Sequence, residues 1–232
     1  MPKSTDTAIF LHRISYSETS LVTTFFTLSG GLQTFLFQGG KKKSQSLFPL
    51  SICEITSYQR TDSAMPKLTS ADPIEALLGI QTNPIKSVIA FFLADVIRQV
   101  VRVGNEDRLL FEFLKVHVLD LNETEKTATF VISFLCELTE PLGIQPIQGD
   151  QHASYFSLTD GEFRSQMPIE SQSFGGDGVL LLNQLFRGDS LSIDTKQSRR
   201  DALHIILQYY AFHLPGFNVD RSLEIVIDTL YT

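Results

Sequence analysis

The spacing of apolar residues changes near residue 72, and this change constrains the fold more than any other feature of the sequence. Before it, short apolar or alternating runs are separated by turn residues, a pattern that is typical of strands. After it, apolar residues recur at helical spacing over longer stretches. The sequence therefore predicts an all-β segment followed by an α-helical one.

Five strands are predicted in the first part of the chain. They cover residues 8–14, 20–28, 32–38 and 50–58 and a short stretch around 67–70. Turn residues separate them, including Gly30-Gly31 and Gly39-Gly40. Closing short strands into a barrel removes the free edges that would otherwise pair with another chain. We therefore expect a small five-stranded barrel.

The helical part begins at Asn83-Pro84, since asparagine caps a helix and proline is tolerated in its first turn. Helices are predicted over residues 83–103, 106–121, 126–138, 178–186, 197–213 and 221–231. Residues 141–177 are irregular and rich in proline and glycine, and Asp160-Gly161 predicts a short hairpin within them. The expected fold class is α+β and multidomain. A barrel domain (1–80) precedes an α-helical domain (81–232) that carries the irregular, hairpin-containing insertion.

Charge is distributed unevenly along the chain, whose formal net charge is −7. The first 70 residues carry seven Lys/Arg and four acids, net +3, and the other 162 carry 12 and 22, net −10. An acidic total argues against non-specific coating of nucleic acid. The asymmetry indicates instead a nucleic-acid surface confined to the first part of the chain.

Two cysteines and the lack of long apolar runs indicate the compartment. Cys53 and Cys136 lie in apolar stretches and are predicted to be buried thiols of a reducing compartment. No apolar run is long enough to span a bilayer, and the first residues contain no apolar signal region. A cytoplasmic protein that does not insert into membranes is expected.

The sequence contains no recognisable catalytic motif. No Gly-x-Ser-x-Gly elbow, Walker loop or dinucleotide glycine fingerprint is present, and the five histidines lack metalloprotease spacing. We therefore expect a protein that is not an enzyme and needs no cofactor.

The most concentrated basic feature is Lys41-Lys42-Lys43, directly after Gly39-Gly40 and between two predicted strands. Three ammonium groups can bind phosphates without reading bases, and an exposed aromatic side chain can stack on a base. A solvated hairpin tip is the alternative, and Phe25, Phe26, Phe35 and Phe37 suit a barrel core better than a stacking surface. The candidate DNA-binding residues are Lys41, Lys42, Lys43, Arg13, Gly40, Tyr16 and Arg60.

A second basic set lies on the predicted helices. It contains Arg108 and Lys196 together with the four candidates for binding a partner's tail, Arg98, Arg102, Arg199 and Arg200. Arginines beside an apolar groove could bind the carboxylates of a partner's acidic C-terminal tail. Solvated helix faces are the alternative explanation for these charges.

Three parts of the sequence together resemble a known family. They are residues 8–13 (AIFLHR) with 16–22, residues 40–44 (GKKKS) with 47–50, and residues 208–214 (QYYAFHL) with 221–223. In this order and spacing they resemble the RecO family, whose members are bacterial recombination mediators of the RecF–RecO–RecR repair route. The resemblance covers nearly the whole chain. It implies that the barrel is of the oligonucleotide/oligosaccharide-binding (OB) type and carries a basic cluster after a glycine.

The resemblance also implies a function. Members of the family bind single- and double-stranded DNA, anneal strands, and contact RecR and the C-terminal tail of the single-stranded-DNA-binding protein. They help to load the RecA filament on coated gaps, so that their contact with RecA is indirect. The resemblance further implies roles in DNA repair, recombination and the SOS response, in the cytoplasm and at the nucleoid during repair.

One departure from the family concerns zinc. Many relatives have four zinc-binding cysteines in the segment that corresponds to about 143–168, whereas this segment contains none and His152 alone cannot bind zinc tetrahedrally. We therefore predict a zinc-free variant in which the hairpin around Asp160-Gly161 needs no metal. A protein–protein adaptor with solvated lysines and no DNA binding stays open as the alternative function.

Overall fold

The computed structural model describes residues 3–59, 64–101, 103–149, 151–167 and 172–231. The strands are β1 (Ser4–Ser15), β2 (Leu21–Thr27), β3 (Gly31–Phe37), β4 (Ile52–Tyr58), β5 (Lys67–Pro73), β6 (Tyr155–Ser157), β7 (Glu162–Arg164) and β8 (Ser173–Gly175). The helices are α1 (Gly40–Lys43), α2 (Leu78–Thr82), α3 (Pro84–Val100), α4 (Arg108–Glu123), α5 (Thr127–Leu138), α6 (Asp177–Arg187), α7 (Lys196–His213) and α8 (Asp220–Leu230).

Strands β1 to β5 form a closed barrel in the order β1-β2-β3-β5-β4. Neighbouring strands are antiparallel except β3 and β5, which pair in parallel. Strand β1 pairs with both β2 and β4, and an irregularity between Phe10 and His12 lets this one long strand serve both neighbours. The predicted five-stranded barrel followed by a helical domain is confirmed.

Phenylalanines fill the barrel. The ring of Phe25 lies 5.3 Å from that of Phe10 and 6.0 Å from that of Phe35, centroid to centroid, in tilted and edge-on arrangements that aromatic pairs favour. Phe26 and Phe37 are also buried. Phe25, Phe35 and Phe37 therefore belong to the barrel core, as the sequence favoured, whereas Phe26 is buried against Phe111 of α4.

The predicted start of the long helix is confirmed. The side chain of Asn83 accepts hydrogen bonds from the backbone N–H groups of Ile85 and Lys86 at 2.9 and 3.3 Å, and Pro84 is the first helical residue. The short α2 before it was not predicted, because five residues are too few to show a helical period.

The predicted end of that helix, near Val103, is wrong. Helix α3 ends at Val100, and Val101 is already extended. Val103 instead forms β-bridges with Gly31 and Leu32 of β3. Pairing with the barrel thus competes with the last helical turn, and the apolar pattern of the sequence cannot show this long-range contact.

The chain packs as two compact units, residues 1–124 and 125–232. Helices α2, α3 and α4 belong to the same unit as the barrel: α3 packs on β1, and the ring of Phe111 in α4 lies 5.9 Å from that of Phe26. The predicted division at residue 80 follows the change in sequence pattern rather than packing, and it stays a prediction.

The second unit contains α5 to α8 and a three-stranded sheet of order β7-β6-β8. Two tyrosine hydroxyls hold helices together: Tyr210 donates to the carbonyl oxygen of Leu135, and Tyr231 donates to that of Ala128. The distances are 2.8 and 2.7 Å. Both bonds tie C-terminal helices of this unit to α5.

The predicted hairpin is present as β6 and β7, and β8 adds a third strand that was not predicted. Its core is aromatic: the ring of buried Phe156 lies 4.6 Å from that of Phe163 and 5.3 Å from that of Tyr209 in α7. The sheet is therefore anchored to a helix of its own unit by an edge-on aromatic contact.

Both cysteines are buried free thiols, as predicted. Burial raises the pKa of Cys53 to about 12, with a smaller contribution from the charge of Asp72, and raises the pKa of Cys136 still further. None of the helices in the described ranges has the length and hydropathy of a membrane span.

Candidate nucleic-acid interface

Residues 39–44, which we call the lysine turn, connect β3 to the segment before β4. Gly39 has φ = 66°, in the left-handed region that glycine adopts at little cost, and its carbonyl oxygen accepts from the N–H groups of Lys42 and Lys43. The N–H of Ser44 then donates to the carbonyl oxygen of Gly40 at 2.8 Å. The sequence predicted only a connection between strands here, and the structure makes it a short, hydrogen-bonded helical turn.

The end of the lysine turn is bound to β1. Arg13 donates from Nη1 to the carbonyl oxygen of Ser44 at 2.8 Å and to its Oγ at 3.1 Å. Ser44 itself is buried, with 1% of its surface exposed, whereas Arg13 is exposed. Arg13 therefore positions the turn, and the rest of its guanidinium stays at the surface.

The beginning of α1 is bound to the connection between β1 and β2. The N–H of Lys41 donates to the carbonyl oxygen of Thr19 at 3.2 Å, and that connection also contains Tyr16, which is 67% exposed. A backbone bond from Tyr16 N–H to Ser20 O, at 3.0 Å, closes the connection. Tyr16, Arg13 and the lysines thus lie on segments that are hydrogen-bonded to one another.

Gly40 packs directly on the barrel core. A Cβ at this position would lie 3.0 Å from Cβ and Cγ of the buried Phe37, so a larger residue would require Phe37 to shift by a few tenths of an ångström. The Nζ of Lys43 lies 5.7 Å from the centroid of the same ring, within the range of a cation–π interaction. Phe37 therefore contacts both the backbone of the turn, at Gly40, and the ammonium group of Lys43.

The three lysine side chains project into solvent. Lys41, Lys42 and Lys43 are all exposed, and no carboxylate among the described residues forms an ion pair with any of them. Residues 39–49 contain no Asp or Glu, and Glu18 is the acid in the neighbouring β1–β2 connection. The lysine turn thus offers uncompensated positive charge on a fixed backbone.

Of the seven predicted DNA-binding residues, the structure brings six together in this region. Arg60 lies outside the described residues. Near the carboxyl end of β3, Lys67 of β5 pairs with Leu36, and Tyr58 of β4 is half-buried beside it.

The predicted partner-tail arginines fall into different units. Arg98 belongs to the first unit and forms an ion pair with Asp95 at 2.7 Å. Arg199 and Arg200 belong to the second unit, where Arg199 pairs with Asp194 at 2.7 Å and Arg200 is exposed. Arg102 lies outside the described residues.

No group of three or more His, Cys, Asp or Glu side chains in the described parts of the chain could hold a metal ion. His152, the histidine of segment 143–168, is exposed, and its Nε2 lies 3.1 Å from Nε2 of Gln151. The zinc-free assignment itself stays a prediction.

Sequence reasoning missed Ser44 and Thr19 as partners of the site. Ser44 follows the lysines directly, but serine is favoured at the start of a helix rather than at its end, so local sequence gave no signal for its role. Its partner Arg13 is 31 residues away, and Thr19 acts through its backbone carbonyl, which no sequence pattern shows.

Comparison of the sequence with known proteins matches both parts of the chain to the family that its motifs resemble. The family profile described as Recombination protein O N terminal matches residues 1–77, and that described as Recombination protein O C terminal matches residues 81–222. DNA repair protein RecO of Christiangramia forsetii is 31% identical over 229 residues, covering 94% of this chain and 95% of the relative. The Bacteroides fragilis protein of the same name is 30% identical over 230 residues, with the same coverage, and that of Porphyromonas gingivalis is 26% identical over 242 residues, covering 97% of each.

Proposed function

The chain belongs to the RecO family of DNA repair proteins, and from this we propose that it is a non-enzymatic recombination mediator that binds single-stranded DNA at the lysine turn. In this role it anneals strands and helps to load RecA on gaps coated by the single-stranded-DNA-binding protein, in the RecF–RecO–RecR pathway. This activity belongs in the cytoplasm, at the nucleoid during repair.

The observation that carries the proposal is the lysine turn itself. Three neighbouring ammonium groups are exposed and unpaired with described carboxylates, while their backbone is fixed to β1, to the β1–β2 connection and to the barrel core. Phosphate binding by lysine is sequence-independent, which suits a protein that acts on any gap. A fixed backbone reduces the entropy lost when the strand binds.

Annealing requires no catalytic residue in this scheme. Two complementary strands repel each other through their phosphates, and a protein that neutralises some of those phosphates lowers the repulsion. Double-stranded DNA, which is the product, presents phosphates to the same lysines. Binding to both forms is therefore part of the proposal.

The protein partners are proposed from family membership. They are RecR and the acidic C-terminal tail of the single-stranded-DNA-binding protein. For the tail, Arg200 is the better candidate among the predicted arginines, because Arg98 and Arg199 each already pair with an aspartate of their own unit. A tail carboxylate would have to compete with Asp95 or Asp194 at those two positions.

A strand-annealing assay tests the function. Two complementary oligonucleotides, one with a donor dye and one with an acceptor dye, are mixed with the protein. The rise of energy transfer between the dyes is followed without ATP or added metal. We expect the protein to accelerate annealing, and Lys41/Lys42/Lys43→Ala to remove most of the acceleration. Lys115/Lys126/Lys196→Ala is the control, since it changes the net charge equally outside the barrel.

A protein–protein adaptor without DNA binding would behave differently. It would not accelerate annealing, and the lysine variant would be indistinguishable from the wild type. Either result overturns the proposed function.

A further inference from the structure

An exposed aromatic side chain lies on α3, in the same unit as the lysine turn. Phe91 is 57% exposed, although phenylalanine is among the residues most often buried. Its neighbour Phe92 is buried at 1% and carries the packing of the helix. Phe91 therefore contributes little to the core and is available at the surface.

Phe48 supports this ring from the segment that follows the lysine turn. The two ring centroids lie 5.3 Å apart at an interplanar angle of 73°, an edge-on contact. Phe48 is held in its own turn, since its N–H donates to Ser51 Oγ at 3.0 Å and its carbonyl oxygen accepts from Ser51 N–H at 2.8 Å. An aromatic pair of this kind gives Phe91 a fixed orientation while leaving most of the ring open.

The pair lies close to the proposed phosphate site. Leu47 N–H donates to the carbonyl oxygen of Ser44 at 3.1 Å, and this turn places Phe48 directly after it. The Cα atoms of Ser44 and Phe48 are therefore within about 11 Å. About three nucleotides, at the 3.4 Å per-strand spacing of duplex DNA, span that Cα–Cα distance.

On the C-terminal side of Phe91, the exposed stripe of α3 is polar and charged. One and two turns along the same stripe of α3 lie Asp95 and Arg98, which pair with each other, and both act electrostatically on His12 of β1. An amphipathic partner helix would need apolar anchors at this spacing, and they are absent from these two positions. An open ring that contacts the segment following a basic turn suits a nucleic-acid base instead.

From these contacts we propose that Phe91, supported by Phe48, is a stacking platform for a base of the single strand whose phosphates the lysine turn binds. The proposal rests on the proposed function and adds a distinction between two forms of DNA. An unpaired base can stack on Phe91, whereas a base within a duplex is already stacked on its neighbours. Phe91 therefore favours single strands over duplex, while the lysines bind both.

The test compares three labelled probes of equal length by fluorescence anisotropy: an oligothymidine strand, the same backbone with abasic sites, and a duplex. We expect Phe91→Ala to weaken binding of oligothymidine by about 5- to 150-fold, the range that alanine substitution gives per stacked base. Binding of the abasic strand and of the duplex stays as in the wild type. Phe91→Trp retains binding, and Leu109→Ala, at an 84% exposed position of the same unit, leaves all three probes unchanged.

Two outcomes overturn the platform without touching the proposed function. One is equal binding of oligothymidine by Phe91→Ala and the wild type. The other is an equal loss on the oligothymidine and abasic strands, because an abasic strand offers no base to stack. If instead the wild type binds none of the three probes, the proposed function fails and the platform fails with it.

Discussion

Arg13 donates two hydrogen bonds to Ser44 from the same nitrogen, Nη1, to the carbonyl oxygen at 2.8 Å and to Oγ at 3.1 Å. These bonds join strand β1 to the last residue of the lysine turn, 31 positions further along the chain. A basic residue that the sequence suggested as a phosphate ligand thus has a structural task as well. Mutation can separate this structural role from the positive charge of Arg13.

Arg13→Ala is expected to lower the free energy of unfolding by about 1.5 kcal/mol, since bonds to a charged donor are lost. Arg13→Lys restores the charge but not the two bonds from one planar guanidinium, so most of the stability loss should remain. Urea denaturation followed by circular dichroism measures both. Ser44→Ala, which keeps the carbonyl acceptor, should cost less than Arg13→Ala. Full recovery of stability in Arg13→Lys would contradict a positioning role for Arg13.

Gly39→Ala and Gly40→Ala are expected to destabilise the lysine turn for different reasons. At Gly40 a Cβ would lie 3.0 Å from the buried Phe37 side chain, and such overpacking costs about 1–3 kcal/mol. At Gly39 a Cβ would make only an ordinary contact, 3.8 Å from Lys43 Cε, but φ is 66°, which costs a residue with a Cβ about 1–2 kcal/mol.

Denaturation measurements and DNA affinity distinguish these two glycines from a remote one. Gly143→Ala has the same kind of strain, at φ = 70° with open space, in the second unit. It should lower stability while leaving DNA affinity unchanged, whereas the two turn variants should lower both. Unchanged stability in Gly40→Ala would show that the turn is not packed on Phe37 as described.

The titration of His12 reports the packing of α3 on β1. Partial burial lowers the pKa of His12 first and the positive charge of Arg98 lowers it further, while Asp95 opposes them. Arg98→Ala should therefore raise the pKa of His12, because removal of a nearby positive charge favours the imidazolium. An NMR titration of the histidine ring signals, with His12→Gln for assignment, measures this shift. Arg108→Ala is the matched control, and a shift of equal size there would contradict the proximity of Arg98 to His12.

Burial of Cys53 makes stability depend on alkaline pH. Its pKa is raised from 9.0 to about 12, chiefly by desolvation, so the folded state keeps the thiol protonated where the unfolded state loses the proton. The stability contributed by the protonated thiol is complete below about pH 9 and is lost as the pH rises from 9 towards 12. Cys53→Ala should therefore reduce the fall in the free energy of unfolding over this interval. The slope of that free energy against pH should change by at most the amount that corresponds to one proton. Rapid reaction of the native protein with a thiol reagent at pH 8 would show that at least one of the two cysteines is not buried.

Elements whose residues repeat a local pattern could be predicted from the sequence. The Thr-, Val- and Phe-rich run of β2, the alternation in β3 and the cap at Asn83 are local signals, and the barrel and the start of α3 follow from them. The end of α3 could not be predicted, because Val103 pairs with β3, some 70 residues earlier in the chain. The five-residue α2 and the three-residue β8 are too short to show any period.

The candidate site was predictable in composition but not in geometry. The run of lysines after two glycines is visible in the sequence, whereas the bonds from Arg13 to Ser44 and from Lys41 to Thr19 depend on the closure of the barrel. Phe91 and Phe92 are adjacent and chemically identical. The packing of α3 against α2 and β1 decides which of the two faces the solvent.

The central claim, that the lysine turn binds the phosphates of single-stranded DNA, is tested most directly by fluorescence anisotropy of a labelled strand at several salt concentrations. For the wild type we predict binding that weakens steeply with salt. For Lys41/Lys42/Lys43→Ala we predict weaker binding and a slope of log K against log salt that is less steep by about 2, since each phosphate contact on a single strand contributes about 0.7. Lys115/Lys126/Lys196→Ala should retain the wild-type slope. Unchanged affinity and slope in the lysine-turn variant, or no strand binding by the wild type at low salt, would contradict the claim.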